Sequence, residues 1–133
     1  MTDVLVTNEA GIVTRNSPRT VADTVTRLTG MLAAKGAKIF AVIDQAAQAR
    51  QAGLDLRETV LVIFGNPVAG TPVMAAEPLA ALDLPLKILV WDDSGQAKVS
   101  YYAAATLAAR HNLDSDLERR LAIAPIADAL VAT

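Results

Sequence analysis

Apolar positions along this chain recur with two different periods. Val21, Val25, Leu28 and Leu32 are spaced by four, three and four residues, the stripe that one helix face presents to a core. Thr20 and Asp23 have the spacing of a capping box, and Gly36 supplies a left-handed stop, so a helix is predicted between them. Ala37 to Ile43 then predicts a strand. Asp44 is placed to cap a short Ala-rich helix that runs to about Ala52 and ends at Gly53. Thr59 to Phe64 is continuously apolar, the pattern of a strand buried on both faces, and Gly65-Asn66-Pro67 breaks it. Thr71 followed by Pro72 predicts another helix start, with threonine as cap and proline at the first helical position. Leu86 to Asp92 and Ala97 to Tyr102 predict an antiparallel hairpin across the turn 93–96. A helix follows over Ala104 to Arg110, with Asn112 as its stop. Ser115 and Glu118 open a C-terminal helical segment that Pro125 kinks or splits. At the N-terminus, Val4 to Val6 and Ile12 to Thr14 are short β-prone runs around the turn 8–11.

Alternation within the strands bears most on function. It sets Ile39, Ala41 and Ile43 on one face and Phe40 and Val42 on the other, and separates Ile88 and Val90 from Leu89 and Trp91. Helices on one side cover only one set. The other set, Phe40, Val42, Leu89 and Trp91, needs a second copy, a ligand, or the C-terminal segment with Leu117, Leu121, Ile126 and Leu130. The expectation is a homodimer.

Composition narrows the chemistry. A chain of 133 residues with 53% apolar residues and only 4% aromatic ones predicts one domain, 1–133, with an aliphatic core. The net charge of −2 argues against a nucleic-acid partner, which requires concentrated Lys and Arg. Cysteine is absent, which removes disulfides, thiolate catalysis and Cys-based zinc sites. With one histidine and no supporting carboxylate spacing, no metal site and no cofactor is expected. Val60 to Phe64 is strand-length and too short to span a bilayer. The first residues lack a basic region followed by an apolar stretch, so the expected location is the cytoplasm, away from the membrane.

Phe64-Gly65-Asn66-Pro67-Val68-Ala69-Gly70-Thr71-Pro72-Val73-Met74 resembles the most recognisable stretch of the domain-of-unknown-function family 302. Thr24 to Leu28, Ile43-Asp44, Gly53 to Arg57, Leu82 to Leu86 and Ala108 to His111 support the resemblance, which runs from about residue 12 to 113. It implies an α+β fold similar to the TATA-binding-protein-like class: two layers, an antiparallel sheet of about five strands with helices on one face. It implies no activity, since fold does not carry function. Two positions depart from the family pattern. Gln45 stands where many relatives have His, and Tyr102-Ala103-Ala104 replaces an Asn-Asp-Pro-like stretch, so no role for that imidazole or that loop is carried over.

The residues singled out as a ligand-binding set are Asp44, Gly65, Asn66, Gly70, Thr71, Tyr101 and His111. A glycine-containing turn feeding a helix start can present free backbone donors to a phosphate or carboxylate, with the Asn66 amide assisting. Turn chemistry alone also explains every residue type there: Asn66 bonds its own turn, Pro67 fixes it and Thr71 caps the helix. Asp44 is an acid or base at a strand end, or simply an N-cap. His111, the single imidazole, is the one candidate general base, or a positive group at a helix C-terminus. Trp91 and Tyr101, on neighbouring strands, can line a pocket or belong to a core. Arg119-Arg120 is expected to be a solvated pair. The function this supports is a non-enzymatic small-ligand-binding or protein-interaction domain acting as a homodimer. The alternative is an enzyme for a small anionic substrate at the loop 65–71, with Asp44, Asn66 or His111 assisting.

Overall fold

A computed structural model describes residues 5–133; part of the run Val4 to Val6 therefore lies outside the described residues. Among the described residues, six strands form one antiparallel sheet: β1 (Val6–Thr7), β2 (Ile12–Asn16), β3 (Lys38–Asp44), β4 (Thr59–Gly65), β5 (Leu86–Asp93) and β6 (Gln96–Tyr102). Their spatial order is β1-β2-β6-β5-β4-β3. The count exceeds the expected five because the two-residue β1 pairs with β2 through Val6–Thr14 and Thr7–Val13. The helices are α1 (Val21–Ala34), α2 (Gln45–Gln51), α3 (Pro67–Ala76), α4 (Ala104–His111), α5 (Ser115–Arg119) and α6 (Ala124–Leu130). A 3-10 turn, Pro78–Asp83, follows α3.

Local chemistry accounts for most boundaries. Thr20 Oγ1 accepts from the Asp23 amide at 3.0 Å to start α1, and Asp44 Oδ1 accepts from Ala47 at 2.9 Å to start α2. Asn112 takes the left-handed conformation that stops α4. The β5–β6 turn places Ser94 and Gly95 at φ 51° and 95°, as a tight hairpin demands. Gly11, at φ +77°, also lies against α4: a Cβ there would approach Thr106 Oγ1 to 2.0 Å. Of the two C-terminal helix starts, the first differs from expectation and the second follows it. Asp114, not Ser115, caps α5, accepting from Leu117 at 2.9 Å. Pro125 splits the C-terminal segment and lies in the first turn of α6, where its missing N–H costs nothing.

One face of the sheet is sealed by α1 and α6. Leu28, Leu32, Val62, Ile88, Val90 and Val99 are fully buried between the layers. Leu130 is also fully buried in this cluster, so the C-terminal segment joins the helix layer and does not cross the opposite face. Arginines tie it down: Arg15 pairs with Asp128, and Arg19 donates to the carbonyls of Leu130 and Ala132 at 2.8 Å. At one end of the sheet, α3, the 3-10 turn, α4 and α5 enclose a second cluster of Val73, Ala80, Leu107 and Leu121.

The opposite face carries no helix. Residues directly across a ladder share a face, and the pairs Leu61–Leu89, Ile63–Lys87, Leu89–Ser100 and Ile12–Tyr102 place these side chains on the open side. The expected members Leu89 and Trp91 are there. Val42 is not: a register shift between Ile39 and Ala41 sets Val42 opposite Val62 on the helix side, and turns Ala41 and Ile43 to the open side opposite Ile63 and Leu61. A β-bulge at Phe40 breaks strict alternation. Because no helix covers that side among the described residues, β4 is not sealed on both faces; Leu61 and Ile63 remain half-buried.

Candidate functional site

The loop after β4 sits at one end of the sheet, and its geometry follows from Asn66-Pro67. Asn66 Oδ1 accepts from the Val68 amide at 2.9 Å, and Pro67 occupies the first turn. The helix therefore begins four residues before Thr71, which does not cap it, and Pro72 lies inside it. The backbone donors at this helix start are already used: Val68 N–H binds the Asn66 side chain, and the amides of Ala69 and Gly70 both donate to the Asn66 carbonyl at 2.9 Å. No free cradle of N–H groups remains there for an anion.

Instead, the start of α3 forms one wall of an apolar cleft of about 190 Å³. Gly65, Asn66, Gly70 and Thr71 all line it. Phe40, Met74, Leu84, Pro85 and Leu121 contribute apolar surface, together with Pro67, Ala69 and Leu86. Gly65 lies between the Phe40 ring and Pro85, and a Cβ there would make ordinary contact with both at 3.6 Å.

Among the described residues, the one charged side chain on the cleft is Arg120. It is not the solvated partner of Arg119 that the sequence suggests. Its NH1 group donates to the Val68 carbonyl at 3.5 Å. That carbonyl lacks its usual helical partner, because the residue four positions on is Pro72, which has no N–H. Arg120 Nε is buried without a hydrogen bond, and its ion pair with Asp116 is long, at 3.7 Å.

The remaining candidates lie elsewhere. Lys38 pairs with Gly65 and Asp44 with Val60, so Asp44 stands roughly 20 Å along β3 from the start of the loop and about 13 Å from Phe40 on the cleft wall, at about 3.3 Å per residue. It caps α2 and cannot assist at the loop 65–71. Tyr101 is 4% exposed and faces the helices. Trp91 faces the open side, where its Nε1 donates to Ser100 Oγ at 2.9 Å. The two aromatics are thus on opposite faces and line no common pocket.

His111 has a partner that sequence spacing does not reveal. Its Nε2 lies 2.6 Å from Asp83 Oδ2 at the end of the 3-10 turn. Arg110 reaches both oxygens of the same carboxylate at 3.0 Å, and its guanidinium stacks over the Tyr102 ring at 5.0 Å. Burial opposes the charge on Asp83, yet the hydrogen bonds from His111 and Arg110 prevail and hold its carboxyl below the usual value. Asp83 in turn raises the affinity of Arg110 for its proton. The trio locks α4 to the 3-10 turn. Neither His111 nor Asp83 lines the cleft, so the imidazole is not positioned to act there. Among the described residues, no group of three or more His, Cys, Asp or Glu side chains is placed to hold a metal ion.

The sequence profile named Domain of unknown function DUF302 matches residues 13–129. The chain belongs to this family. The match takes in α5 and most of α6, beyond the boundary near residue 113 that the motifs alone indicated. A crystal structure of an uncharacterized conserved DUF302 protein from Bacillus stearothermophilus superposes with a TM-score of 0.77. It is 22% identical, covering 91% of this chain and 95% of that one, and shares the DUF302 fold. Among curated proteins, the chain is 40% identical over 106 residues to a protein named fluoride-specific ion channel FluC 1 from Brucella suis. It matches one named fluoride-specific ion channel FluC 2 from Brucella melitensis to the same extent. These alignments cover 79% of this DUF302 chain but only 42% and 39% of the two relatives. The chain therefore spans about two fifths of their length.

Proposed function

We propose that this chain is a non-enzymatic binding domain that pairs with a second copy of itself through the open face of its sheet. The observation that carries this reading is the helix-free face, where Ile43, Leu61, Ile63, Leu89 and Trp91 stand together across three adjacent strands. Five strands spaced about 4.8 Å apart and roughly 20 Å long offer about 500 Å² in projection. That is the scale at which a standard interface, about 800 Å² of accessible surface per partner, forms. A twofold axis sets the same patch against itself, and Leu and Ile side chains need no complementary partner chemistry. Polar groups on this face are already satisfied: Ser100 Oγ meets both Trp91 Nε1 and Thr14 Oγ1, and Lys98 pairs with Asp93 at 2.9 Å.

The relatives named as fluoride-specific ion channels support a binding role. More than half of each lies outside the match, and no helix among the described residues is long and apolar enough to cross a membrane. In such a protein the matched segment would lie outside the bilayer, where pairing of two copies would act on the assembly of the rest.

Light scattering at micromolar concentration tests the reading. The expected mass is twice the 13.9 kDa of one chain. Leu61→Glu should give a folded monomer with unchanged far-ultraviolet circular dichroism. A wild-type monomer mass refutes the proposal.

A further inference from the structure

We infer that the cleft between α3 and the segment 84–86 binds a small apolar monocarboxylate, with its carboxylate on Arg120 and its hydrocarbon body against Phe40, Met74, Pro85 and Leu121. The inference stands apart from self-association, since the cleft is built within one chain.

Two observations converge on this ligand class. The walls are almost entirely apolar, so the body of the ligand gains by leaving water. One cationic group lines that surface, and it is thinly satisfied. Of the five guanidinium donors, NH1 has a 3.5 Å contact to Val68 and Nε has no hydrogen bond. Asp116, the nearest carboxylate at 3.7 Å, is solvent-exposed and also within 3.4 Å of Arg119. The Arg120 side chain is 35% exposed, so a ligand carboxylate can meet its terminal nitrogens in a paired, fork-like contact while Nε stays buried. A single guanidinium, already partly neutralised by Asp116, balances one negative charge. The start of α3 adds no free N–H groups, as its donors are engaged by Asn66. Both facts select a monoanion over a phosphate ester. The volume of about 190 Å³ lies below the range of about 300–1,000 Å³ common for drug-sized ligands, which favours a compact acid.

The test uses the intact chain, with hexanoate and the neutral hexanol as probes, followed by chemical-shift perturbation and calorimetry. Hexanoate should bind saturably at millimolar concentration or below, shift the residues 65–71, and bind at least 10-fold more tightly than hexanol. Arg120→Gln should remove that preference. Gly70→Leu should fill the cleft from the helix side and abolish binding while the fold persists, because a Cβ at Gly70 meets only Met74 Cε at 3.9 Å. Absence of hexanoate binding to the wild type overturns the inference, as does equal binding by either variant. The mass from light scattering, measured on the same samples, tests self-association separately and is expected to be unaffected by Gly70→Leu.

Discussion

Asp83→Ala should destabilise the protein by about 2 kcal/mol at neutral pH, with a deficit that disappears in acid. Asp83 is the hub joining α4 to the 3-10 turn, with its side chain 25% exposed. His111, with a side chain only 10% exposed, makes the stronger contact, and a hydrogen bond to a charged group is worth about 1.5–3 kcal/mol. Arg110 is 41% exposed, so its ion pair is screened and adds only about 0.2–1 kcal/mol. Ordering these side chains offsets part of the sum. With a urea slope of roughly 1–3 kcal/mol per molar, the midpoint should fall by about 1 M. The pH dependence fixes the mechanism. The carboxyl is held below its ordinary value of 3.8 in the folded protein, since hydrogen bonds from His111 and Arg110 outweigh burial. A depressed folded value means that ionised Asp83 stabilises the fold above the unfolded value, and that this contribution is lost as the pH falls through the folded one. The difference between wild type and variant should therefore be present at neutral pH and shrink below about pH 4. Urea titrations of both proteins across that range measure it. A deficit that persists unchanged into acid, or none at neutral pH, refutes the assignment of Asp83 as an ionised hub.

Leu28→Ala should cost about 2–5 kcal/mol, because Leu28 is fully buried under α1 against a sheet that cannot collapse into the space; an unchanged denaturant midpoint would refute its place in the core. Asn66→Ala should cost about 1 kcal/mol through loss of the α3 cap, read by thermal melting, and Asn66→Asp should retain most of that stability.

The two-layer α+β arrangement was legible because its signals are local and redundant. The Val21–Leu32 stripe, the caps at Thr20 and Asp44 and the Ser94-Gly95 turn depend only on neighbouring residues. The start of α3 was ambiguous for the same reason. Asn66-Pro67 and Thr71-Pro72 carry one capping signal each, and sequence spacing alone does not decide between them. The structure uses Asn66 and accommodates Pro72 by answering the freed Val68 carbonyl with Arg120, 52 residues further along the chain. Arg120 itself is the main residue missed; the pattern around it is that of an ordinary solvated helix. A trace of its role was present, since a proline inside a helix frees a carbonyl that some donor must answer. The Asp83–His111 pair spans 28 residues and has no periodic signature at all. It exists because the chain folds the 3-10 turn against α4.

The bulge in β3 is the least legible feature and bears directly on how two copies would meet. It leaves Phe40 without a partner in the β4 ladder, at the mouth of the cleft, and sends Val42 to the helix side. An edge strand with a bulge is a poor template for another strand, because its free N–H and C=O groups no longer repeat in register. The other edge of the sheet, β1, spans only two residues among those described. Continuous pairing edge to edge is thus disfavoured on both sides, while the flat apolar surface between the edges has no such obstacle. If two copies associate, the face is the route the fold leaves open. That is why Leu61, on β4 between two paired strands and within the apolar cluster of the face, separates the two modes: a charge there should dissolve a face-to-face dimer and leave an edge-to-edge one intact.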